Sequence, residues 1–139
     1  RLNKNKINYC IGRIFSYTDP KQDKSFIVPG LFYKIKKNKK KLITLKGLNH
    51  FRDFLSIKDI SNAIKILCQK KKTGVYNIGS SKELHLETVA KIFCEKLNKK
   101  TFFKRKSSNF TYLISNNIKL CKTGWKPKDN FIKELNKFK

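Results

Sequence analysis

Short β-prone runs alternate along this chain with stretches whose apolar residues recur at helical spacing, and this alternation limits the possible folds. Residues 7–15 (INYCIGRIF) are apolar without a helical period, which predicts a buried strand. The next patterned stretch has apolar residues at i, i+3, i+4 and i+7, which predicts an amphipathic helix. They are Val28, Leu31, Phe32 and Ile35. Strands that alternate with helices are typical of α/β proteins, so we predict that fold class.

The alternation continues towards the C-terminus. Residues 42–45, 75–78 and 101–103 are predicted strands, and residues 51–57 are predicted to be extended. Two further amphipathic helices are predicted from their apolar stripes. The stripes are Ile60, Ala63, Ile64 and Leu67 in one helix, and Leu86, Val89, Ala90, Phe93 and Leu97 in the other.

Polar residues and glycines mark the expected helix ends and loops. Residues 16–25 are polar and contain a proline, which predicts a loop. Ser56 and Asp59 are both candidate N-caps for the helix that follows them. Ser115 is predicted to cap a short helix, and Gly124 is predicted to end it in the left-handed conformation.

The strongly basic composition first suggests a nucleic-acid partner. The formal net charge is +25, but only four of the 34 basic residues are arginine and the rest are lysine. Base readout and bidentate phosphate contacts favour arginine. Lysine, asparagine, isoleucine and phenylalanine share A/T-rich codons, so a biased genome accounts for the excess and we expect no nucleic-acid partner. A basic nucleic-acid-binding module is the alternative, and it would gain if residues 34–41 and 104–106 shared one face.

The cysteines and the hydropathy indicate the setting of the protein. Cys10, Cys68, Cys94 and Cys121 lie far apart without a C-x-x-C pair, so we expect four reduced cysteines and no metal site. No apolar run approaches the roughly 20 residues of a transmembrane helix, and no signal peptide is evident. We therefore expect a cytoplasmic protein without a membrane partner. Because the chain contains no methionine and begins at Arg1, we expect the C-terminal piece of a longer protein.

The sequence contains no catalytic grouping of side chains. His50 and His85 are 35 positions apart and the sequence suggests no acidic partner for either, so we interpret His85 as a surface residue. A glycine-rich dinucleotide-binding loop is also absent. We predict that this chain alone has no catalytic residues and acts in binding.

A candidate binding group is the arginine in residues 47–64 (GLNHFRDFLSIKDISNAI), which join a predicted strand to a predicted helix. The guanidinium of Arg52, flanked by aromatic residues, is suited to binding a phosphate because its fork of donors matches phosphate oxygens. The alternative is that Arg52 only forms an ion pair with Asp53 or Asp59.

Five motifs in one order resemble the C-terminal half of the extended short-chain dehydrogenases/reductases, the NAD-dependent epimerase/dehydratase family of nucleotide-sugar enzymes. They span the chain from about residue 7 to residue 138. The matching segments are RIFSYTDP (residues 13–20), FIVP (26–29), residues 47–63 with the R-D-F-x-x-x-x-D pattern, VYNIGS (75–80) and TGWKP (123–127). The resemblance implies the C-terminal part of a Rossmann-like fold that includes the small substrate-binding subdomain.

The resemblance also implies roles for individual residues. Ile14 and Phe15 would lie beside the nicotinamide of NAD or NADP. Five further residues would bind a nucleoside-diphosphate sugar, with Arg52 and Arg105 on the diphosphate and the first two apolar residues of the FIVP segment in the base pocket. These substrate-binding residues are Ser16, Phe26, Ile27, Arg52 and Arg105.

Two departures and one absence qualify the resemblance. Ser16 replaces the family's usual asparagine, and Asp19 replaces a turn glycine. The family's cofactor loop and Tyr-x-x-x-Lys pair would belong to an N-terminal Rossmann part, upstream of Arg1. Gln22 and the TGWKP segment lean towards the branch that resembles GDP-mannose dehydratases and GDP-6-deoxy-mannose reductases.

We therefore predict one fragment, residues 1–139, that forms the substrate-binding part of an NAD(P)-dependent nucleotide-sugar epimerase, dehydratase or reductase in surface-polysaccharide synthesis. A homodimer is compatible with this function. A non-catalytic nucleotide-binding remnant is a further alternative.

Overall fold

The computed structural model describes residues 8–105, 110–128 and 130–139 of the chain. Within these ranges the helices are α1 (Ile27–Lys37), α2 (Ile57–Gln69), α3 (Leu86–Lys96), α4 (Ile118–Cys121) and α5 (Phe131–Leu135). The strands are β1 (Cys10–Ile14), β2 (Ser16–Thr18), β3 (Leu42–Lys46), β4 (His50–Arg52), β5 (Phe54–Ser56), β6 (Gly74–Ile78), β7 (Leu84–His85), β8 (Lys100–Lys104) and β9 (Thr111–Leu113). The predicted α/β class is confirmed.

Most strand pairs are parallel, as expected where strands alternate with helices. β1 pairs with β6, β2 with β5 and β3 with β8, all in parallel. β4 lies between β7, which is antiparallel to it, and β9, which is parallel to it. Three separate segments of the chain therefore meet around the short β4–β5 region.

Two apolar clusters form the core, and β5 connects them. The first cluster joins the buried faces of α1 and α3 to β3 and the C-terminal α5. The second joins α2 and β6 to Leu120 and the fully buried Trp125. Phe54 belongs to the first cluster and Leu55 to the second, because successive strand residues point to opposite faces. The β5 strand, which follows Arg52, is therefore packed into the core on both of its faces.

The predicted helices have the expected buried faces with one exception. α1 buries Val28, Leu31, Phe32 and Ile35 as predicted. Ser56 is the N-cap of α2, where its side chain accepts from the Asp59 amide at 3.0 Å. The prediction for Ile64 was wrong: it is 45% exposed, because the buried stripe of α2 is narrower than the apolar pattern.

Three local predictions were also wrong. The β1 strand is exposed rather than buried, since β6 is its strand neighbour within the described residues; residue 7 lies outside them. Residues 16–18 form β2 instead of a loop, because they pair with β5. Ser115 does not cap α4, which begins after Asn117; instead the Ser115 side chain is buried against Ser81.

The part of the chain that the structure describes has no helix long and apolar enough to cross a membrane. In the same residues, no group of three or more His, Cys, Asp or Glu side chains is placed to hold a metal ion.

Candidate functional site

A cleft of about 150 Å³ opens where β2, β4, β5 and the start of α1 meet. It collects side chains that are far apart in the sequence but adjacent in the fold. They are Phe15, Ser16, Tyr17, Gln22, Phe26, Ile27, Val28, Arg52 and Phe54. The cleft thus has an apolar wall of aromatic and aliphatic groups and one cationic group.

Two successive turns shape the loop that forms one wall of the cleft. The Asp19 carboxylate accepts from the Lys21 amide at 2.8 Å, and the Asp19 carbonyl accepts from the Gln22 amide at 2.9 Å. Asp23 repeats this pattern with the amides of Ser25 and Phe26. Aspartate at the first turn position with proline after it favours such a turn. The aspartate in place of the family's glycine therefore has a structural role, because it fixes where the loop places Gln22.

The first residues of α1 form the mouth of the cleft. Phe26 is 51% exposed and Ile27 is 45% exposed, although both are large and apolar. The loop is held close to the helix at Gly30, where an added Cβ would lie 2.6 Å from the Lys24 carbonyl oxygen. Exposed apolar side chains at a cleft mouth mark a surface suited to a flat or apolar ligand group.

Arg52 supplies the positive charge of the cleft. Its Nη1 donates to the Phe51 carbonyl at 2.8 Å and to Thr111 Oγ1 at 2.7 Å. Among the described residues it forms no ion pair with a carboxylate, so the alternative pairing with Asp53 or Asp59 is not what the structure has. A half-buried guanidinium without a carboxylate partner is available to an anionic ligand.

Asp53, which follows Arg52 in the sequence, has a structural role. Its side chain is fully buried and accepts from the amides of Ser80, Ser81 and Ser115 at 2.6, 2.9 and 3.0 Å, and from the Ser80 hydroxyl at 2.6 Å. The same residue accepts the Ser16 amide at its own carbonyl, at 3.1 Å. Asp53 therefore ties the strand that carries Arg52 to three other segments.

Gly79 is required for this arrangement. A Cβ at this position would lie 2.6 Å from Asp53 Oδ2 and closer still to the Ser115 hydroxyl. The sequence did not reveal this network, since Asp53, Gly79 and Ser115 are distant along the chain. The indication of this network in the sequence was the motif order, which contains both the R-D segment (residues 52–53) and the N-I-G-S segment (residues 77–80).

Arg105 lies away from the cleft. Its guanidinium makes a bidentate contact with Glu87, with Nε donating to Oε1 at 2.8 Å and Nη2 to Oε2 at 2.6 Å. The Arg105 side chain is 61% exposed, whereas that of Glu87 is 5% exposed. Hydrogen bonds from Arg105 lower the pKa of Glu87 and, reciprocally, raise the pKa of Arg105. In this structure the second predicted diphosphate contact is a surface ion pair.

His85 has an acidic neighbour that the sequence did not suggest. Its Nδ1 lies 3.7 Å from Glu87 Oε2, and its Nε2 lies 3.1 Å from Asn49 Oδ1. Partial burial lowers the pKa of His85 despite the opposing effect of the Glu87 charge. The ring also packs on Phe51, with centroids 4.6 Å apart.

The residues predicted to contact a nicotinamide lie at the end of β1, where Ile14 is the last strand residue and Phe15 follows it. Ile14 is exposed, and Phe15 lines the cleft while its amide donates to the Ile78 carbonyl at 3.1 Å. An exposed isoleucine beside a phenylalanine at the cleft fits the apolar face of a nicotinamide ring. Ile14 itself does not line the cleft.

Several residues of the cleft were missed as site residues. Val28 lies in the FIVP segment and Phe54 in the R-D-F segment, but neither was given a site role, and Tyr17 fell in the predicted loop. Thr111, which contacts Arg52 without lining the cleft, was missed because only the parallel pairing of β9 with β4 brings it beside Arg52. A larger cavity of about 350 Å³ shares Phe54 with the cleft but includes neither Arg52 nor the predicted site residues.

The lysine-rich runs do not form one face around the β3–β8 pair. The Lys41 carbonyl accepts from the Lys100 amide at one end of this parallel pair, whereas Lys104 stands opposite Lys46 at the other end. The run before β3 and the run after β8 therefore lie at opposite ends; residue 106 lies outside the described residues. This arrangement does not favour the nucleic-acid alternative.

Comparisons with known proteins bear on the fold and the family of the chain. No curated protein sequence matches the chain. Among solved structures, RMD from Pseudomonas aeruginosa complexed with NADPH has a TM-score of 0.81 at 18% identity, over 96% of this chain and 47% of that one. The dTDP-glucose 4,6-dehydratase of Bacillus anthracis, in complex with NAD, has a TM-score of 0.78 at 24% identity, over 96% and 44%.

A UDP-N-acetylglucosamine 4-epimerase from Methanobrevibacter ruminantium, in complex with UDP-N-acetylmuramic acid, has a TM-score of 0.76 at 20% identity, over 96% of this chain and 46% of that one. The chain thus spans less than half the length of each of these structures, and at these identities the likeness shows the fold. The family model described as GDP-mannose 4,6 dehydratase matches residues 2–132. The chain belongs to this GDP-mannose 4,6-dehydratase family, among the NAD-dependent epimerases and dehydratases of the extended short-chain dehydrogenase/reductase group.

Proposed function

We propose that this chain is the substrate-binding part of an NAD(P)-dependent nucleotide-sugar epimerase, dehydratase or reductase. It binds a nucleoside-diphosphate sugar in the cleft around Arg52. The rest of the complete protein, an N-terminal Rossmann part, supplies the cofactor site and the Tyr-x-x-x-Lys pair. The protein acts in the cytoplasm, and a homodimer is compatible with this activity.

One observation carries the proposal. Of the seven site residues expected from the sequence, five line the same cleft. They are Phe15, Ser16, Phe26, Ile27 and Arg52. These residues come from three separate segments, so their convergence is a property of the fold and is independent of the motif spacing.

The chemistry of the cleft suits a ligand with one anionic and one flat apolar part. A diphosphate needs its charge compensated when it leaves water, and Arg52 offers donors that no described carboxylate occupies. The exposed Phe26 and Ile27 offer apolar contact to a nucleoside base. The Ser16 amide donates to the Asp53 carbonyl, which holds the Ser16 backbone beside the segment that carries Arg52.

The cofactor part of the proposal rests on fit and on similarity. The Pseudomonas aeruginosa structure contains NADPH and the Bacillus anthracis structure contains NAD, so either dinucleotide is proposed for the complete protein. A bound nicotinamide cofactor supplies hydride transfer. The role of this chain is to contact the ring through Ile14 and Phe15 and to hold the substrate beside it.

Equilibrium binding to the complete protein tests the proposal. UDP-glucose, GDP-mannose and dTDP-glucose are titrated separately by calorimetry, and we expect saturable binding of at least one. The matching nucleoside diphosphate should compete, and the free sugar should not. Absence of binding by all three, or salt-dependent binding of duplex DNA at the same site, would refute the proposed function.

A further inference from the structure

One polar side chain in the cleft lacks a partner. The side-chain oxygen of Gln22 is buried and has no hydrogen-bond partner. Among the described residues, nothing bonds its carboxamide. Leaving a buried acceptor unpaired destabilises a folded protein, and nearly all such groups in folded proteins have a partner. An unpaired amide at a cleft is therefore a candidate for pairing with a ligand.

The loop fixes the backbone that carries this side chain. The Gln22 amide donates to the Asp19 carbonyl at 2.9 Å, and the next turn fixes Phe26 in the same way. Gly30 lets the loop backbone approach α1 more closely than any side chain would allow. The backbone of Gln22 is thus fixed, and only side-chain rotation is needed to present the carboxamide to the cleft.

The hydrogen-bonding chemistry of Gln22 differs from that of Arg52. Both residues line the cleft, but Arg52 is a cation with only donors, whereas the buried Gln22 oxygen can only accept. A nucleoside-diphosphate sugar carries both kinds of group: phosphate oxygens that accept, and hydroxyl and ring N–H groups that donate. Arg52 can therefore pair with the phosphate oxygens, and the Gln22 oxygen can pair with a hydroxyl or ring N–H group.

We propose that Gln22 is a specificity-determining residue, whose carboxamide oxygen accepts a hydrogen bond from a hydroxyl or ring N–H group of the bound nucleoside-diphosphate sugar. This inference rests on the proposed function. It assigns to Gln22 a contact with the uncharged part of the ligand, separate from the diphosphate contact at Arg52.

The test uses the complete protein and Gln22→Leu, which keeps the approximate size of the side chain and removes the amide. Gln69→Leu is the matched control, because Gln69 is exposed at the end of α2. The probes are UDP-glucose, GDP-mannose and dTDP-glucose, together with UDP, GDP and dTDP. Binding is measured by calorimetry and folding by thermal unfolding without ligand.

We expect Gln22→Leu to weaken binding of the preferred sugar nucleotide about tenfold, which is ~1.4 kcal/mol. Its melting temperature without ligand should not fall, since the lost amide has no partner in the free protein. Gln69→Leu should match the wild type in both measurements. A loss seen with the sugar nucleotide alone places the donor on the sugar, and an equal loss with the nucleoside diphosphate places it on the nucleoside.

Three outcomes would overturn the inference. Wild-type affinity in Gln22→Leu, while Arg52→Ala still weakens binding, refutes the role of Gln22 and leaves the proposed function intact. A lower melting temperature of Gln22→Leu without ligand would show that the amide has a structural partner. Failure of the wild type to bind any of the six probes refutes the inference and the proposed function together.

Discussion

Arg52 Nη1 and Thr111 Oγ1 lie 2.7 Å apart, so a residue of β9 holds the cationic group of the cleft. A guanidinium can only donate, so the threonine oxygen is the acceptor of this bond, and the same hydroxyl is hydrogen-bonded to His50 Nδ1, 2.9 Å away. This series of hydrogen bonds, from His50 through Thr111 to Arg52, orients the guanidinium.

Thr111→Val is expected to weaken nucleotide-sugar binding by about 1 kcal/mol, a factor of about five, because it removes one acceptor of the guanidinium and keeps the shape of the side chain. The exposed side chain contributes little packing, so the melting temperature should change little. Calorimetric titration and thermal unfolding measure the two effects. Thr73→Val, in the exposed loop before β6, is the control, and equal affinities of the two variants would contradict this role of Thr111.

Replacing Arg52 itself should have a larger effect. Arg52→Ala in the complete protein is expected to weaken binding of the sugar nucleotide by about 2–4 kcal/mol, as for a buried charge partner that is lost. Arg52→Lys keeps the charge but loses the fork of donors, so its affinity should lie between those of the wild type and Arg52→Ala. An unchanged Michaelis constant for the sugar nucleotide in Arg52→Ala would exclude the proposed contact with the diphosphate.

Local pattern predicted the helices well because their buried faces depend on spacing within one segment. α1 buries the four residues that the helical period selects, and Ser56 caps α2 as its residue type favours. The motif order placed Arg52, Phe26 and Ser16 in a common site, and the cleft contains all three.

What the sequence could not supply depends on contacts between distant segments. The partners of Asp53 lie 27 to 62 positions away, and Thr111 reaches Arg52 only through strand pairing. The burial of β1 was predicted wrongly for the same reason, because an apolar run shows that a strand can be buried without showing what covers it. The Glu87 contact of Arg105 likewise links residues 18 positions apart.

The close packing at Gly79 predicts a steric effect on stability. Gly79→Ala should destabilise the protein by roughly 1–3 kcal/mol, since its Cβ would press on Asp53 and Ser115, both of which are buried and hydrogen-bonded. Denaturant unfolding measures the change. Gly47→Ala is the matched control: the Cβ has open space there, and its φ of +71° makes the cost one of backbone strain, about 1 kcal/mol. A smaller loss at Gly79 than at Gly47 would contradict the packing described around Asp53.

The Glu87–Arg105 pair predicts a dependence of stability on pH. The pKa of Glu87 is lowered from its ordinary value of 4.5, so the unfolded chain binds a proton more readily at this residue. The stabilisation is therefore present above pH 4.5 and is lost as pH falls through the lower pKa of the folded state. Glu87→Gln should flatten this part of the curve of unfolding midpoint against pH.

Arg105→Ala separates the two roles considered for this arginine. If the ion pair is its main function, the variant should lose the same acid-sensitive stabilisation while its affinity for the sugar nucleotide stays at the wild-type value. A weakened affinity at neutral pH, with the pH dependence unchanged, would instead support the predicted contact with the diphosphate. Urea unfolding between pH 3 and 7 and calorimetric titration at pH 7 distinguish these results.

The exposed β1–β6 pair predicts that the chain is poorly stable by itself. Ile11, Ile14 and Val75 are exposed on these parallel strands, although parallel sheets are normally covered on both faces. We expect the isolated chain to unfold below the range of roughly 45–65 °C that is usual for mesophilic domains.

In the complete protein, Ile11→Ser should lower the free energy of unfolding by about 2 kcal/mol, the transfer energy of a buried isoleucine. In the isolated chain the same substitution should cost almost nothing. Ile118→Ser, at an exposed position of α4, should have little effect in either form. Thermal unfolding of both forms measures this difference, and equal effects of Ile11→Ser in the two would show that no further part of the protein covers β1.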